Sequence, residues 1–341
     1  MKKVIAVFAV SLLAAACSSD PQPTVQETQP VIEEASCASF ATPASELSGS
    51  IIYQVWDREA DNTDIYAMNP DGTNIRPLAN SEDKEHLSDA GSISPDGESI
   101  LFLKVENIDD PDFEYAKSVN IFIMNSDGTN QRQLTNFGRQ VTAQSPIWSP
   151  DGQHIFYEVF LAADIYISIM DTEGNGLSYE LPEEKEQTNA YLEGWYVEGQ
   201  VAVYTFDRFD ETENGFYLTN SDGTQFTETP ERTNFFEDGE WSPDGQHFVF
   251  VMDQNPDEDG GKEIYVVNTS DMGTDQFTNM RQLTDNTWND SNPTWSPDSQ
   301  HIAFVSDCGQ ELGNNAIFVT DVEGSDTFFT GQNGSTVDWG N

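Results

Sequence analysis

The stretch that decides the fold reads Pro146-Ile147-Trp148-Ser149-Pro150-Asp151-Gly152-Gln153-His154-Ile155, and it recurs along the chain. Two close copies occupy residues 239–248 and 293–302, and two degenerate copies occupy residues 92–97 and 194–199. The Trp position or its equivalent falls at residues 93, 148, 195, 241 and 295, so successive copies lie 46 to 55 residues apart. Internal repetition at this spacing is typical of repeat architectures.

Each copy predicts a small antiparallel sheet. Ser-Pro-Asp-Gly is a turn, because Pro presets φ, Asp bonds its own backbone and Gly adopts positive φ. An alternating apolar run such as 301–305 follows, and a third run such as 263–265 comes before a second turn of the kind seen at 126–129. A short fourth strand such as 281–284 ends the copy. Four strands in a repeat of this length predict one blade of a propeller.

The two ends of the repeat region complete one further blade. The chain enters at residues 50–53, which match the second strand of a copy, and leaves at residues 336–341, which match the first strand. We therefore expect the C-terminal strand to be the innermost strand of the blade that Ile51 begins, leaving no open sheet edge. The sequence predicts an all-β fold over residues 49–341, a six-bladed β-propeller of four-stranded antiparallel blades closed by that pairing.

The composition is strongly acidic, with 14 Lys and Arg against 60 Asp and Glu and a formal net charge of −46. Such a charge repels nucleic acid and anionic membrane surfaces, so we expect no nucleic-acid partner. It fits either a solvated acidic surface or a basic partner, and the sequence leaves both open.

Residues 1–16 predict an export signal, with a positive start, a short apolar core and small residues before Cys17. The apolar run is too short to span a bilayer. The segment resembles a bacterial lipoprotein signal peptide, which implies lipidation of Cys17, and Ser18 after it implies an outer-membrane lipoprotein on the periplasmic side. An ordinary cleaved signal is the alternative. Residues 17–48, rich in Pro, Ser, Thr, Gln and Glu, predict a flexible tether.

Two further cysteines, Cys37 and Cys308, lie in the tether and in the last blade. Export permits a disulfide. Ring closure brings the N-terminus beside the last blade, so we expect these cysteines to pair. Two separate thiols are the alternative.

The Trp-Ser-Pro-Asp-Gly turns, the Ile-Tyr strands such as 264–265 and the Arg-Gln-Leu-Thr endings such as 132–135 resemble the β-propeller repeat of TolB-type proteins, which are WD40-like, over residues 51–341. The resemblance implies a periplasmic six-bladed propeller that binds protein partners at its axial face. The same repeat also occurs in peptidase-associated and carbohydrate-active propellers. A carbohydrate-active or carbohydrate-binding propeller, lyase-like or hydrolase-like, is therefore the alternative function.

No sequence pattern indicates catalysis, and we assign no catalytic residue and no required cofactor. His154, His247 and His301 occupy one repeat position in three blades, so they are spread around the ring and we expect them to be surface strand residues. The sequence contains no Gly-x-Ser-x-Gly elbow, no His-Glu-x-x-His and no phosphate-binding Gly loop. These absences favour a binding protein over an enzyme.

One segment has the oxygen ligands of a weak calcium site, namely Asp253, Asn255, Asp257 and Asp259. Ligands at alternate positions followed by Gly260 are calcium-like, although the spacing does not match an EF-hand. An acidic solvated hairpin loop is the alternative.

Loops between the second and third strands share one face of the propeller with the linkers between blades, and we call this the loop face. The Ser-Pro-Asp-Gly turns lie on the opposite face, the turn face. Variable loops on a rigid scaffold usually carry function. We predict that aromatic linker residues on the loop face bind an envelope protein or peptide with basic groups, and the candidates are Phe137, Phe235, Phe236 and Trp288. Packing of these rings under their own loops is the alternative.

Overall fold

A computed structural model describes residues 47–57, 62–80, 87–89, 91–107, 117–138, 141–161, 164–177, 189–196, 200–206, 215–220, 222, 227–229, 237–253, 261–271, 279–308 and 315–341. Within these ranges the chain forms twenty-four β-strands and one 3-10 turn, Thr269–Asp271. The predicted signal peptide, Cys17, Cys37 and most of the predicted tether lie outside the described residues.

The described strands fall into six four-stranded units, which we number as blades I to VI and list from the innermost strand outward. Blade I contains β24 (Val337–Gly340), β1 (Ser50–Asp57), β2 (Asn62–Met68) and β3 (Arg76–Ala79). Blade II contains β4 (Leu87–Asp89), β5 (Ser99–Asn107), β6 (Lys117–Asn125) and β7 (Arg132–Gln133). Blade III contains β8 (Val141–Trp148), β9 (His154–Leu161), β10 (Asp164–Asp171) and β11 (Gly176–Leu177).

The other three blades follow the same order. Blade IV contains β12 (Asn189–Tyr196), β13 (Gln200–Phe206), β14 (Gly215–Asn220) and β15 (Thr227–Thr229). Blade V contains β16 (Glu237–Trp241), β17 (His247–Asp253), β18 (Lys262–Asn268) and β19 (Arg281–Gln282). Blade VI contains β20 (Asp290–Trp295), β21 (His301–Ser306), β22 (Asn315–Asp321) and β23 (Phe328–Gly334).

The strands within each blade pair with consecutive neighbours and are antiparallel. One parallel bridge between Val119 and Thr142 joins blades II and III into a single eight-stranded sheet. The innermost strands β12, β16, β20 and β24 contact one another in that order. The predicted propeller of four-stranded blades is therefore confirmed.

The C-terminal strand closes the ring. β24 pairs with β1 in an antiparallel register that places Ile51 opposite Trp339 and Ile52 opposite Asp338. The Trp339 indole N–H also donates a hydrogen bond to the carbonyl oxygen of Ser48, at 2.9 Å. The predicted closure is confirmed, because the last strand supplies the pairing partner that the first strand of the domain lacks within its own hairpin.

The hydrophobic core is distributed between blades rather than gathered at one centre. Ile51 packs into a cluster with Val305 and Ile317 of blade VI, whereas its neighbour Ile52 packs into a cluster with Phe102 of blade II. Successive strand residues point to opposite faces of a sheet, so both faces of blade I are buried. This burial explains why the strands carry continuous apolar runs as well as alternating ones.

The first turn of four blades is held by one hydrogen-bond network. The Ser hydroxyl donates to the Asp Oδ1 two residues later at 2.5 to 2.6 Å, and a backbone N–H near the start of the second strand donates to the same Ser oxygen at 2.8 to 2.9 Å. The Ser–Asp pairs are Ser94–Asp96, Ser149–Asp151, Ser242–Asp244 and Ser296–Asp298. The network is complete even in the degenerate copy at 92–97, so the Ser-x-Asp spacing determines the turn.

The second turns of blades I, II, III and VI lie against the end of the preceding blade. A Cβ added to Gly72 would lie 1.8 Å from the carbonyl oxygen of Thr330, and one added to Gly128 would lie 2.6 Å from that of Leu78. Arginine side chains hold two such turns from the preceding blade. Arg132 donates to the Thr172 carbonyl at 2.5 Å, and Arg281 donates to the Val322 carbonyl at 2.7 Å.

We predict that Gly72→Ala destabilises the protein more than Gly152→Ala does. Both glycines have positive φ, at 79° and 67°, so both substitutions strain the backbone by about 1–2 kcal/mol. Only Gly72 lies against backbone of another blade, because the nearest atom to a Cβ on Gly152 is 3.9 Å away. We expect the additional overpacking to cost about 1–3 kcal/mol. The measurement is the urea midpoint of unfolding, and equal midpoints for the two variants would contradict close packing of blade I on blade VI.

Candidate functional site

Six equivalent positions lie near the axis, each one residue before the Trp position of its innermost strand. They are Ser92, Ile147, Gly194, Glu240, Thr294 and Asp338. An innermost strand has one edge that its own blade does not cover, and the N–H groups on that edge need another acceptor. In the neighbouring blades V, VI and I, this position carries a polar side chain with an oxygen that can accept such a hydrogen bond. The three residues are Glu240, Thr294 and Asp338.

Carboxylates at the axis link the innermost strands of neighbouring blades. The Glu240 Oε2 accepts the backbone N–H of Trp295 at 3.3 Å, and the Asp338 Oδ2 accepts the backbone N–H of Ile93 at 2.6 Å. The Thr294 hydroxyl donates to Asp338 Oδ1 at 3.3 Å. These contacts join blade V to VI, VI to I and I to II through side chains at one repeat position.

A β-bulge deforms the innermost strand in blades III, V and VI. The bulges place Ser145, Asp238 and Asn292 at φ values of 48° to 50°, each three residues before the Trp of its blade. Asp238 then accepts the backbone N–H of Asn292 through Oδ2 at 3.1 Å. Bulges on strands often re-aim side chains next to functional sites, and sequence reasoning missed these because Ser, Asp and Asn signal them only weakly.

Burial is the main cause that raises the pKa of Glu240 to about 8, and the charge of Asp338 adds to this effect. Glu240 therefore retains its proton up to roughly neutral pH in the folded protein. The charge of one carboxyl group at the axis thus changes the pKa of another. The charge of this site therefore depends on pH.

The axis is acidic in sequence as well as in contacts. The six innermost strands, as described, contain no lysine or arginine. Their acidic residues are Asp89, Glu193, Glu237, Asp238, Glu240, Asp290 and Asp338. Of these, Asp238, Glu240 and Asp338 make the contacts described above, and carboxylates gathered in this way attract cations and basic groups.

The structure describes two of the four aromatic candidates on the loop face, Phe137 and Trp288. Phe137 is half-buried, packs against the core between blades II and III, and lies 6.4 Å from the ring of Tyr157. Trp288 is also half-buried and packs against the core of blades V and VI. Phe235 and Phe236 lie outside the described residues. A role in partner binding remains a prediction for all four.

Two of the repeat histidines, His247 and His301, lie between different pairs of blades. His247 lies 5.8 Å from the ring of Trp295, and His301 lies 6.3 Å from the ring of Trp339, measured between ring centroids. His247 and His301 thus each pack against the Trp of the next blade. Both are half-buried, as is His154, rather than being plain surface residues as expected.

The other predicted site residues are placed only in part. Asp253 ends β17 opposite Lys262, while Asn255, Asp257 and Asp259 lie outside the described residues, so the weak calcium prediction at this segment stays untested. Cys308 is fully buried and disulfide-bonded. Its predicted pairing with Cys37 stays a prediction, because Cys37 is not among the described residues.

Two classes of site are not found in the described part of the chain. No group of three or more His, Cys, Asp and Glu side chains is arranged to hold a metal ion there. No helix in the same residues has the length and apolar character that a membrane span requires.

Solved structures with the same arrangement of sheets include TolB from Acinetobacter baumannii, which is 15% identical with a TM-score of 0.59, over 86% of this chain and 67% of that one. A putative TolB from Agrobacterium tumefaciens is also 15% identical, with a TM-score of 0.51 over 86% of this chain and 99% of that one. The fold is the TolB-type β-propeller. The resemblance inferred from the repeats is therefore confirmed at the level of the fold.

The same fold also occurs in an enzyme, so a TolB-like propeller does not by itself decide function. Kuenenia stuttgartiensis hydrazine synthase is 13% identical, with a TM-score of 0.56 over 85% of this chain and 45% of that one. No protein-family model matches this chain, and no curated protein matches its sequence.

We predict that Glu240→Gln flattens the pH dependence of stability. A carboxyl whose pKa is raised on folding stabilises the protein fully below its ordinary pKa of 4.5, and this contribution is lost as the pH rises through about 8. The melting temperature of the parent should therefore fall between pH 5 and pH 9. The fall should be smaller in the variant, by about 2 °C or more.

The matched control is Glu98→Gln, which removes an exposed carboxylate from the turn of blade II. It should melt with the pH dependence of the parent. If Glu240→Gln also follows the parent, then Glu240 does not hold a proton in the folded protein.

Proposed function

We propose that this chain is a non-catalytic binding propeller of the bacterial cell envelope, which holds a basic segment of an envelope protein or peptide at its axial face. The observation that carries the proposal is the acidic axis, where Asp238, Glu240 and Asp338 lie and where the innermost strands, as described, contain no lysine or arginine. The net charge of −46 adds a long-range field of the same sign. Complementary charge of this kind steers a basic partner and selects against acidic ones.

Burial of carboxyl groups at the axis gives a basic partner a further advantage. Burying a charge is costly unless it is paired, and the raised pKa of Glu240 reports that cost. A lysine or arginine placed at the axis would favour the charged form of Glu240 and gain electrostatic energy from it. Binding should therefore release the proton that Glu240 holds in the free protein.

The contacts of the axial carboxylates favour binding over catalysis. Glu240 and Asp338 each accept a backbone N–H from the next blade, so both stabilise the scaffold. A glycosidase requires two carboxyl groups committed to proton transfer and nucleophilic attack. His247 and His301 pack between blades rather than beside these carboxylates. The carbohydrate-active alternative is thus less well supported than a binding role.

The proposal is tested by photo-crosslinking from two positions in intact cell envelopes. A photoreactive amino acid at Gln144, exposed on innermost strand β8, should capture a polypeptide, whereas the same amino acid at Ile75, exposed beside the second turn of blade I, should not. Asp238→Asn should lower the yield at Gln144, because it removes an exposed axial charge but keeps an acceptor for Asn292. High salt should lower the yield as well.

Two outcomes would contradict this function. One is a polypeptide yield at Gln144 no greater than that at Ile75. The other is cleavage of envelope polysaccharide by the purified protein, which would support the carbohydrate-active alternative.

We also propose that the chain is exported and anchored by lipid at Cys17, with residues 17–48 as tether and residues 49–341 as the binding domain. The support is the sequence of residues 1–17 and its resemblance to lipoprotein signals. Cys17→Ser should release the protein into the soluble fraction and abolish fatty-acid incorporation, because the thiol is the acyl acceptor. Metabolic labelling measures this, with Cys308→Ser as the control that keeps its label. Label on Cys17→Ser would exclude Cys17 as the acceptor.

A further inference from the structure

A group of buried oxygen atoms lies between blades V and VI, at the loop face and away from the Glu240 position. Glu263 of β18, Asp290 at the start of β20 and Ser306 at the end of β21 are 3%, 0% and 2% exposed. Asp290 pairs directly with Ser306 in the register of blade VI, so their side chains share one face of the sheet.

Asn286, in the linker between the two blades, brings the two carboxyl groups together. Its backbone N–H donates to Glu263 Oε1 at 3.0 Å, and its side-chain amide donates to Asp290 Oδ2 at 2.8 Å. One residue therefore bridges the two acids through one oxygen of each. The second oxygen of each acid, Glu263 Oε2 or Asp290 Oδ1, accepts no hydrogen bond from Asn286.

Three buried oxygen atoms at this place have no hydrogen-bond partner, namely Glu263 Oε2, Asp290 Oδ1 and Ser306 Oγ. Leaving one buried polar atom unpartnered costs about 1–3 kcal/mol, and more when the group is charged. A fold does not ordinarily retain three such atoms side by side, so they indicate a missing partner.

Asp290 is not part of the repeat pattern, whereas the position of Glu263 is polar in three other blades. Glu263 has Asp64, Asn120 and Asp164 as counterparts in three other blades. Counted from the Trp position, however, the residues equivalent to Asp290 in the other blades are Ser88, Ala143, Ala190, Phe236 and Gly334. A buried acid at position 290 is therefore a property of blade VI alone.

Two hydroxyl groups of the chain, those of Thr284 and Ser306, lie near these acids, but neither completes a hydrogen bond to Glu263 Oε2 or Asp290 Oδ1. Burial raises the pKa of both acids, and the Thr284 hydroxyl lowers it in both. Lys262 is next to Glu263 in β18, but successive strand residues point to opposite faces, so its side chain is directed away from Glu263.

We propose that Glu263, Asp290 and Ser306 form a binding site for a calcium ion between blades V and VI. Two carboxylates and a hydroxyl are hard oxygen ligands and match a divalent charge. Calcium accepts flexible and irregular oxygen coordination, whereas magnesium demands near-ideal octahedral geometry and loses its water reluctantly. Sites with few charged ligands in exported modules bind calcium with a Kd of about 10⁻⁴–10⁻³ M.

The ion would join two blades, because Glu263 belongs to blade V and both other ligands belong to blade VI. Trp288 lies in the same linker and its backbone N–H donates to the Asn286 side chain at 2.7 Å. Calcium would therefore also order the linker that carries one of the aromatic candidates of the loop face.

The test is thermal unfolding of the full chain after removal of metal with chelator. Calcium chloride at about 5 mM should raise the melting temperature of the parent by about 2 °C or more over sodium chloride of equal ionic strength. Magnesium chloride should give a much smaller increase. A parent that shows no increase with calcium would overturn the proposal.

Two variants and a matched control separate a specific site from screening of the acidic surface. Asp290→Asn and Ser306→Ala should each lose most of the calcium increase, and Ser306→Ala should fold as well as the parent in chelator because it removes an unpartnered hydroxyl. Asp285→Asn, which removes an exposed charge from the same linker, should keep the increase. An increase that survives in Ser306→Ala would show binding to the surface only and overturn the site.

Discussion

Antiparallel pairing of β24 with β1 is the contact on which the rest of the structure depends. It joins residues almost three hundred positions apart, such as Ile51 and Trp339, and so removes the edges that an open array of blades would present. Blade I then packs against blade VI on one face and against blade II on the other. Asp338 lies on β24 and joins the neighbouring blades by accepting hydrogen bonds from the Thr294 hydroxyl of blade VI and from the backbone N–H of Ile93 in blade II.

Blade-on-blade packing explains most of the repeated residues. The glycine of the second turn allows close approach to the preceding blade, the Arg of the Arg-Gln-Leu-Thr ending reaches the next turn, and the histidine after the first turn packs on the next Trp. These residues recur because equivalent interfaces between blades use the same contacts. A repeated residue in this fold is therefore evidence of packing, and a residue confined to one blade is better evidence of function.

Carboxyl groups that are buried within this very acidic protein are the common feature of the axis and of the cleft between blades V and VI. Burial raises the pKa of Glu240 and of Glu263, so each site gains from a partner that supplies positive charge. At the axis that partner is proposed to be a basic segment of a polypeptide, because each innermost strand has one edge that its own blade does not cover. In the cleft it is proposed to be a calcium ion, because the oxygen atoms there are enclosed.

The sequence alone determined the blade, the number of copies and the closure, because turn chemistry at Ser-Pro-Asp-Gly and strand periodicity act over a few residues and the repeat multiplies the signal. It did not reveal the bulges at Asp238 and Asn292 or the hydrogen bond from the Trp295 backbone N–H to the Glu240 carboxylate. It also did not reveal that Glu263 lies close to Asp290 and Ser306. Those contacts join residues 16 to 55 positions apart in different strands or blades. Only the tertiary structure decided them, because burial and proximity between blades depend on how the sheets pack, and no local pattern records that packing.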